Sequence, residues 1–189
     1  MSELQYVNYF SLKEDKVKVE ELYINAFPED ERCPFDILLS RVKKHKGDFY
    51  AFYNEEEFVG LIYNVVYKDI VYIYYLAITE PLRNKGYGTK VLNDMKEMYK
   101  DKRIILMAET LDPSFENYEQ RLNRSKFYSK NGFNYQGYTI KEFGVVYDML
   151  GNTLPGVKKI EFKKLFRNYC GFIAYHRVYK KNTDIEENL

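Results

Sequence analysis

The chain predicts a mixed α/β fold: a mainly antiparallel central sheet flanked by helices, with a C-terminal helical segment appended to it. Three observations carry that expectation. Asp48 to Tyr53, Phe58 to Tyr67 and Ile70 to Ile78 are rich in Tyr, Phe, Val and Ile and are separated by short turns, which makes a meander of antiparallel strands. The third of these runs leads through a glycine turn into an amphipathic stretch, Gly88 to Tyr99, and then into another apolar run, Arg103 to Ala108. Strand, helix and strand in that order form a crossover, so the two flanking strands are expected to be parallel. Helical spacing also recurs well beyond the last strand, from Lys158 to Tyr169.

The elements follow in order. Gln5 to Phe10 reads as a first strand. Val19, Leu22, Tyr23 and Ala26 then fall at helical spacing, with Asp15 placed to cap the start and Phe27-Pro28 to end the helix. Pro34 suits the first turn of a second helix, which carries Phe35, Leu38, Leu39 and Val42 inward. The linker between them, Glu29 to Arg32, is polar and expected to be exposed. In the helix that opens near Gly88, Val91, Leu92, Met95, Met98 and Tyr99 share one face. A polar loop, Glu109 to Phe115, precedes a helix of about Glu116 to Asn131, and Gly132 stands where helices commonly end in a left-handed residue. Phe133 to Ile140 and Val145 to Leu150 read as two more strands. Gly171 to Tyr179 is a further apolar run, and the charged tail Lys180 to Leu189 is expected to fray. The boundaries that follow are a main domain at 1–150 and an extension at 151–189 packed on the same domain.

Composition narrows the function classes. Of 189 residues, 29 are Lys or Arg and 28 Asp or Glu, so a net charge of +1 supplies no general field for nucleic acid or an anionic membrane. Cys33 and Cys170 are distant and belong to no Cys/His cluster, so no metal site is expected and both thiols are read as reduced. The N-terminus lacks signal-peptide order, and no apolar run approaches the roughly 20 residues of a membrane span. A cytoplasmic protein is the expectation. The aromatic load, 20 Tyr and 13 Phe without Trp, is assigned mainly to sheet faces and core.

Arg83-Asn84-Lys85-Gly86-Tyr87-Gly88 is the informative motif, because a strand precedes it and a helix follows. Glycines there let backbone N–H groups approach an anion at the helix N-terminus. A dinucleotide fingerprint would need glycine at position 91, which is Val91, and a P-loop needs four residues between its glycines where this chain has one. The remaining pattern, Arg/Gln-x-x-Gly-x-Gly/Ala, resembles the GNAT (GCN5-related N-acetyltransferase) superfamily over about Val17 to Leu150. A second stretch, Arg124 to Phe133, resembles the family's later helix and strand, with Tyr128 four residues before Gly132-Phe133.

The resemblance implies acetyl-CoA as co-substrate. It implies that Leu76, Ala77 and Ile78 lie beside pantetheine and that Arg83, Asn84, Lys85, Gly86, Tyr87, Gly88 and Thr89 hold the pyrophosphate. It further implies Tyr128 as the acid toward the departing thiolate and Glu109 as the base that takes the ammonium proton. Arg121, Arg124 and Tyr128 share a helical stripe, so both arginines are candidates for the CoA phosphates. Lys85, Lys90 and Lys126 are candidate supplements. A bulge near Leu76 to Ile78 would free a backbone N–H for the thioester carbonyl. On the acceptor side the resemblance points to Glu29 to Cys33 and Lys141 to Val145. The expected activity is N-acetyl transfer to a small-molecule or peptide amine. A non-catalytic acyl-CoA-binding sensor is the alternative, tRNA acylation is disfavoured by the charge balance, and a homodimer stays open.

Overall fold

A run of β-branched and aromatic residues cannot continue as a strand through Asn54 to Glu57 or Lys68-Asp69, and the chain folds back at both places. In the structure, a computed structural model, residues 3–142 and 144–171 are described, together with the backbone of 183–184. They form two compact units, one of Met1–Val66 and Ile73–Lys100, the other of Tyr67–Tyr72 and Asp101–Leu189.

The first unit begins with β1 (Leu4–Asn8), α1 (Lys16–Ala26) and α2 (Phe35–Lys43), and continues with β2 (Gly47–Asn54) and β3 (Glu57–Tyr67). It closes with most of β4 (Ile70–Ile78) and with α3 (Tyr87–Met98). Its strands lie in the order β1-β2-β3-β4. β1 pairs antiparallel with β2 from Leu4↔Asn54 to Asn8↔Tyr50, and β2 with β3 from Gly47↔Val65 to Asn54↔Glu57. The core is aromatic: Tyr9 stacks on Phe49 with ring centres 5.1 Å apart, and Phe35 and Tyr63 meet Phe49 edge-on. Such pairs add about 0.5–1.5 kcal/mol each beyond area burial, which suits a chain with so much Tyr and Phe.

The second unit takes residues 70–72 of β4 and adds β5 (Arg103–Glu109), α4 (Tyr118–Lys130), β6 (Asn134–Glu142) and β7 (Val145–Gly151). α5 (Lys159–Cys170) and the short β8 (Thr183–Asp184) complete it. The strand order is β4-β5-β7-β6-β8. β7 pairs antiparallel with β5 from Ile105↔Gly151 to Glu109↔Tyr147, and with β6 from Asn134↔Gly151 to Glu142↔Val145. α5 buries Phe162, Leu165, Phe166 and Tyr169, with Phe162 edge-on to Tyr72 at 5.3 Å. The mixed, mainly antiparallel α/β fold with an added C-terminal helix is therefore the observed one.

Differences from the expectation have local causes. Tyr9 and Phe10 leave the first strand for a 3-10 turn. Asp15 precedes α1 but makes no capping bond; its carboxylate accepts from the Tyr53 hydroxyl and pairs with Lys18. Met98 is 44% exposed at the end of α3, while Tyr99 takes the buried place and donates to Asp48 at 2.6 Å. Thr183 and Asp184 pair with Glu142 and Lys141, so the expected frayed tail contains a strand. The apolar run after Gly171 and the rest of the tail lie outside the described residues.

Candidate active site

β4 leads through a short 3-10 turn into the glycine turn. Asn84 and Gly86 both have positive φ, 62° and 86°, and Gly86 occupies the N-cap of α3. A left-handed glycine there costs nothing sterically, whereas a residue with Cβ is strained. The first intrahelical bond runs from Lys90 N to the Gly86 carbonyl, and no side chain caps the helix. The amides of Tyr87, Gly88 and Thr89 therefore have no intrahelical partner, and they carry the positive end of the helix dipole. Arg83, Asn84, Lys85 and Gly86 are exposed, and Arg83 donates from Nε to the Ile78 carbonyl, tying the turn to the end of β4. Lys90 is paired with Asp94 at 3.3 Å, and Asp94 also accepts from the Tyr6 hydroxyl. Glu80 is exposed at the start of a 3-10 turn, Glu80–Leu82.

Leu76, Ala77 and Ile78 form the end of β4. A Cβ on Gly60 would run into the Ala77 carbonyl oxygen and the Phe52 ring, so that carbonyl lies over the face of Gly60 where a side chain would otherwise stand. Thr79 N then donates to the Val59 carbonyl at 2.9 Å. Beside this stretch, Tyr75 is buried and holds the α1–α2 linker. Its hydroxyl donates to Glu31 O and accepts from Cys33 N, while the Tyr23 hydroxyl donates to Cys33 O at 2.7 Å. Burial pushes the Tyr75 phenol up to about 12. The expected acceptor-side segment Glu29 to Cys33 is thus a 3-10 turn pinned by two tyrosines, a role invisible in the sequence because Tyr75 lies more than forty residues away.

The second group of candidates is on β5 and α4. α4 ends in a Schellman motif: Phe133 N donates to the Tyr128 carbonyl, Gly132 N to the Ser129 carbonyl, and Gly132 has φ 78°. The accompanying apolar contact joins Phe133 and Tyr128 edge-on at 6.5 Å. Tyr128, three residues from the helix end, is oriented by that closure. Its hydroxyl has no protein partner among the described residues, and burial raises its pKa, against a smaller opposing pull from Arg124. The phenol is protonated at neutral pH.

Glu109 ends β5 with 9% of its side chain exposed. Arg121 meets it at 3.0 Å, Arg124 at 2.7 Å, and Asn117 donates to it at 3.4 Å. Arg121 is 5% exposed, donates also to Asn117 Oδ1 and the Thr110 carbonyl, and lies 3.9 Å over the Phe115 ring. This corrects the expectation of a phosphate-facing Arg121, because every side of its guanidinium is used internally. Arg124 remains 44% exposed. Glu109, expected as a free base, is an acceptor shared by two guanidinium groups. Asp148 is a further carboxylate, half-buried on β7 opposite Ala108, and burial raises its pKa. The structure brings Glu109, Arg121 and Arg124 together within the second unit; the glycine turn and the end of β4 belong to the first.

Among the described residues no group of His, Cys, Asp and Glu could hold a metal ion, and no helix is long and apolar enough to cross a membrane. A mixed α/β sheet, an anion-ready turn at a helix N-terminus and a helix ending in Tyr-x-x-x-Gly-Phe define an acyltransferase class. The acetyltransferase (GNAT) family model matches residues 16–133, and the chain belongs to that family. Among solved structures it is similar to a GNAT-family acetyltransferase from Bacteroides thetaiotaomicron, at 20% identity and TM-score 0.69, covering 92% of this chain and 98% of that one. It is also similar to an aminoglycoside 6'-N-acetyltransferase complexed with coenzyme A, at 15% identity and TM-score 0.60, covering 79% and 96%. A third is a GNAT acetyltransferase from Elizabethkingia anophelis with acetyl-CoA bound, at 14% and TM-score 0.57, covering 80% and 97%. At these identities the likeness concerns the fold. No curated protein matches the sequence.

Proposed function

We propose that the protein transfers the acetyl group of acetyl-CoA to a primary amine, by direct attack in a ternary complex. The observation that carries this reading is the left-handed turn at Asn84 and Gly86, which opens a twelve-residue helix whose first amides have no acceptor among the described residues. Arg83 to Thr89 receive the pyrophosphate, Arg124 adds charge from its exposed side, and Leu76 to Ile78 run beside pantetheine. Tyr128 gives its proton to the sulfur as the C–S bond breaks, a role that suits a phenol kept protonated by burial. Glu109 joins the end of β5 to α4 through Arg121 and Arg124, and so sets the orientation of the helix that carries Tyr128.

The acceptor is a small-molecule or peptide amine, a class supported by the aminoglycoside acetyltransferase that shares the fold. A cytoplasmic setting agrees with Cys33 and Cys170, far apart in sequence, forming no disulfide. The engagement of Glu109 by two arginines is the observation that favours a second reading, a non-catalytic acyl-CoA-binding module. Release of CoA thiol from acetyl-CoA, measured against polyamines, aminoglycosides, amino acids and peptide N-termini, separates the two. Saturable release with an amine supports the enzyme; saturable acetyl-CoA binding without turnover supports the module.

A further inference from the structure

Tyr74 and Tyr75 are neighbours in sequence, yet their rings stack 4.3 Å apart and 27° from parallel. Successive side chains of a regular strand point to opposite faces, so β4 departs from the regular pleat here and sets both rings on one side. The stack holds Tyr75 on one flank, and Phe27 and Tyr23 meet it edge-on at 4.8 and 5.0 Å. With 4% of the residue exposed, the ring cannot swing away, and the hydroxyl at its end is a fixed point.

The linker between α1 and α2 takes its shape from that point. Its 3-10 turn, Glu29–Glu31, is three residues long and has no side-chain cap, and its closing bond, from Arg32 N to the Glu29 carbonyl, is 3.4 Å long. Turns of this kind hold themselves weakly. The Tyr75 hydroxyl donates to the Glu31 carbonyl at 3.2 Å and accepts from Cys33 N at 2.9 Å, and the Tyr23 hydroxyl donates to the Cys33 carbonyl at 2.7 Å. Both backbone polar groups of Cys33 are thus held by side chains from two different elements. Arg32 adds an exposed bond to the Ile24 carbonyl.

The place of the linker along β4 gives it a use. In the reading above, the first amides of α3 take the pyrophosphate and Leu76 to Ile78 flank pantetheine. The arm of the donor then runs from the glycine turn back along β4, and its thioester end comes to the stretch just before Leu76. Tyr75 occupies that stretch, and the segment bound to its hydroxyl is Glu31 to Cys33. An amine that attacks the thioester carbonyl must come within about 3–3.5 Å of it, and so arrives beside the linker. All of these residues belong to the first unit. We propose that Tyr75 is a positioning residue for the acceptor: its hydroxyl, together with that of Tyr23, fixes the linker backbone against which the amine is bound. This assignment rests on the acetyltransferase reading above.

The test uses an amine that wild type acetylates and compares wild type, Tyr75→Phe and Tyr23→Phe. Tyr75→Phe keeps the packed ring and removes both of its bonds to the linker. Acceptor KM rises about tenfold, while kcat stays within about twofold and the acetyl-CoA Kd, measured by calorimetry, is unchanged, which also verifies folding. Tyr23→Phe leaves β4 untouched, removes one bond and raises acceptor KM about threefold. Unchanged acceptor KM in both variants, with or without a lower Tm, overturns the assignment, because the tyrosines then only hold the fold. A fall in kcat at unchanged KM, or an acetyl-CoA Kd that weakens as much as KM, also overturns it while leaving the enzyme reading intact. Absence of wild-type turnover on every amine overturns both.

Discussion

Arg121→Met is a sharp probe of how α4 is held to β5, because it keeps an apolar stem of similar length and removes the guanidinium, with its polar partners and its place over Phe115. The native group makes an ion pair to Glu109 at 3.0 Å, a bond to Asn117 at 2.8 Å and one to the Thr110 carbonyl at 3.2 Å, all at 5% exposure. Breaking a buried pair on one side costs about 3–5 kcal/mol when the partner is left alone. Glu109 keeps Arg124 at 2.7 Å, so the lower end of that range, about 3 kcal/mol, applies. In a chain of this size each kcal/mol moves Tm by roughly 2–4 °C, which gives a fall of about 6–12 °C. Urea and thermal unfolding of the purified variant measure it. Arg124→Ala, at a 44% exposed side chain, shifts stability by about 1 kcal/mol or less. A loss below about 1 kcal/mol for Arg121→Met, or equal losses for the two variants, refutes a buried structural clamp at Arg121.

Two further predictions concern the glycine turn and the start of α5. Gly86→Val forces a β-branched residue into φ 86°, so calorimetry should find acetyl-CoA affinity reduced more than about tenfold; an unchanged Kd contradicts the phosphate-turn assignment. Glu161 is held down to about 2, chiefly by Arg103, whose guanidinium it accepts at 2.8 and 3.1 Å. Its folded pKa lies below the unfolded one, so its stabilisation is complete above about pH 4.5 and is lost as pH falls toward 2. The stability gap between wild type and Glu161→Gln should therefore close over that window, and a gap constant from pH 5 to 2.5 refutes it.

What the sequence reveals of this protein follows from the range of the interactions involved. β4 is read from its apolar run after the turn Lys68-Asp69, and α5 from helical spacing, so local composition places both within a residue. The Schellman end of α4 is likewise legible in Gly132-Phe133, because its bonds span only five residues. Interactions across the fold are not. Nothing near Arg121 announces that Glu109, twelve residues earlier, will claim it, and Asp15 suits an N-cap until Tyr53 and Lys18 bind it. The same holds for Asp148, whose burial exists only once Ala108 and Thr139 flank it. Motif spacing thus finds the glycine turn and the tyrosine of the candidate site, while the partners of the charges are set by pairing across the fold.

Single-turnover and steady-state release of CoA thiol by wild type and Tyr128→Phe, at saturating acetyl-CoA and with an amine taken from the panel, bears most directly on the proposed chemistry. The account predicts that Tyr128→Phe lowers kcat about 100-fold while the acetyl-CoA Kd is unchanged, because the hydroxyl serves the breaking C–S bond and not the bound ground state. Equal kcat values for the two proteins contradict the role given to Tyr128, and acetyl-CoA binding without thiol release by wild type on any amine contradicts acetyl transfer itself.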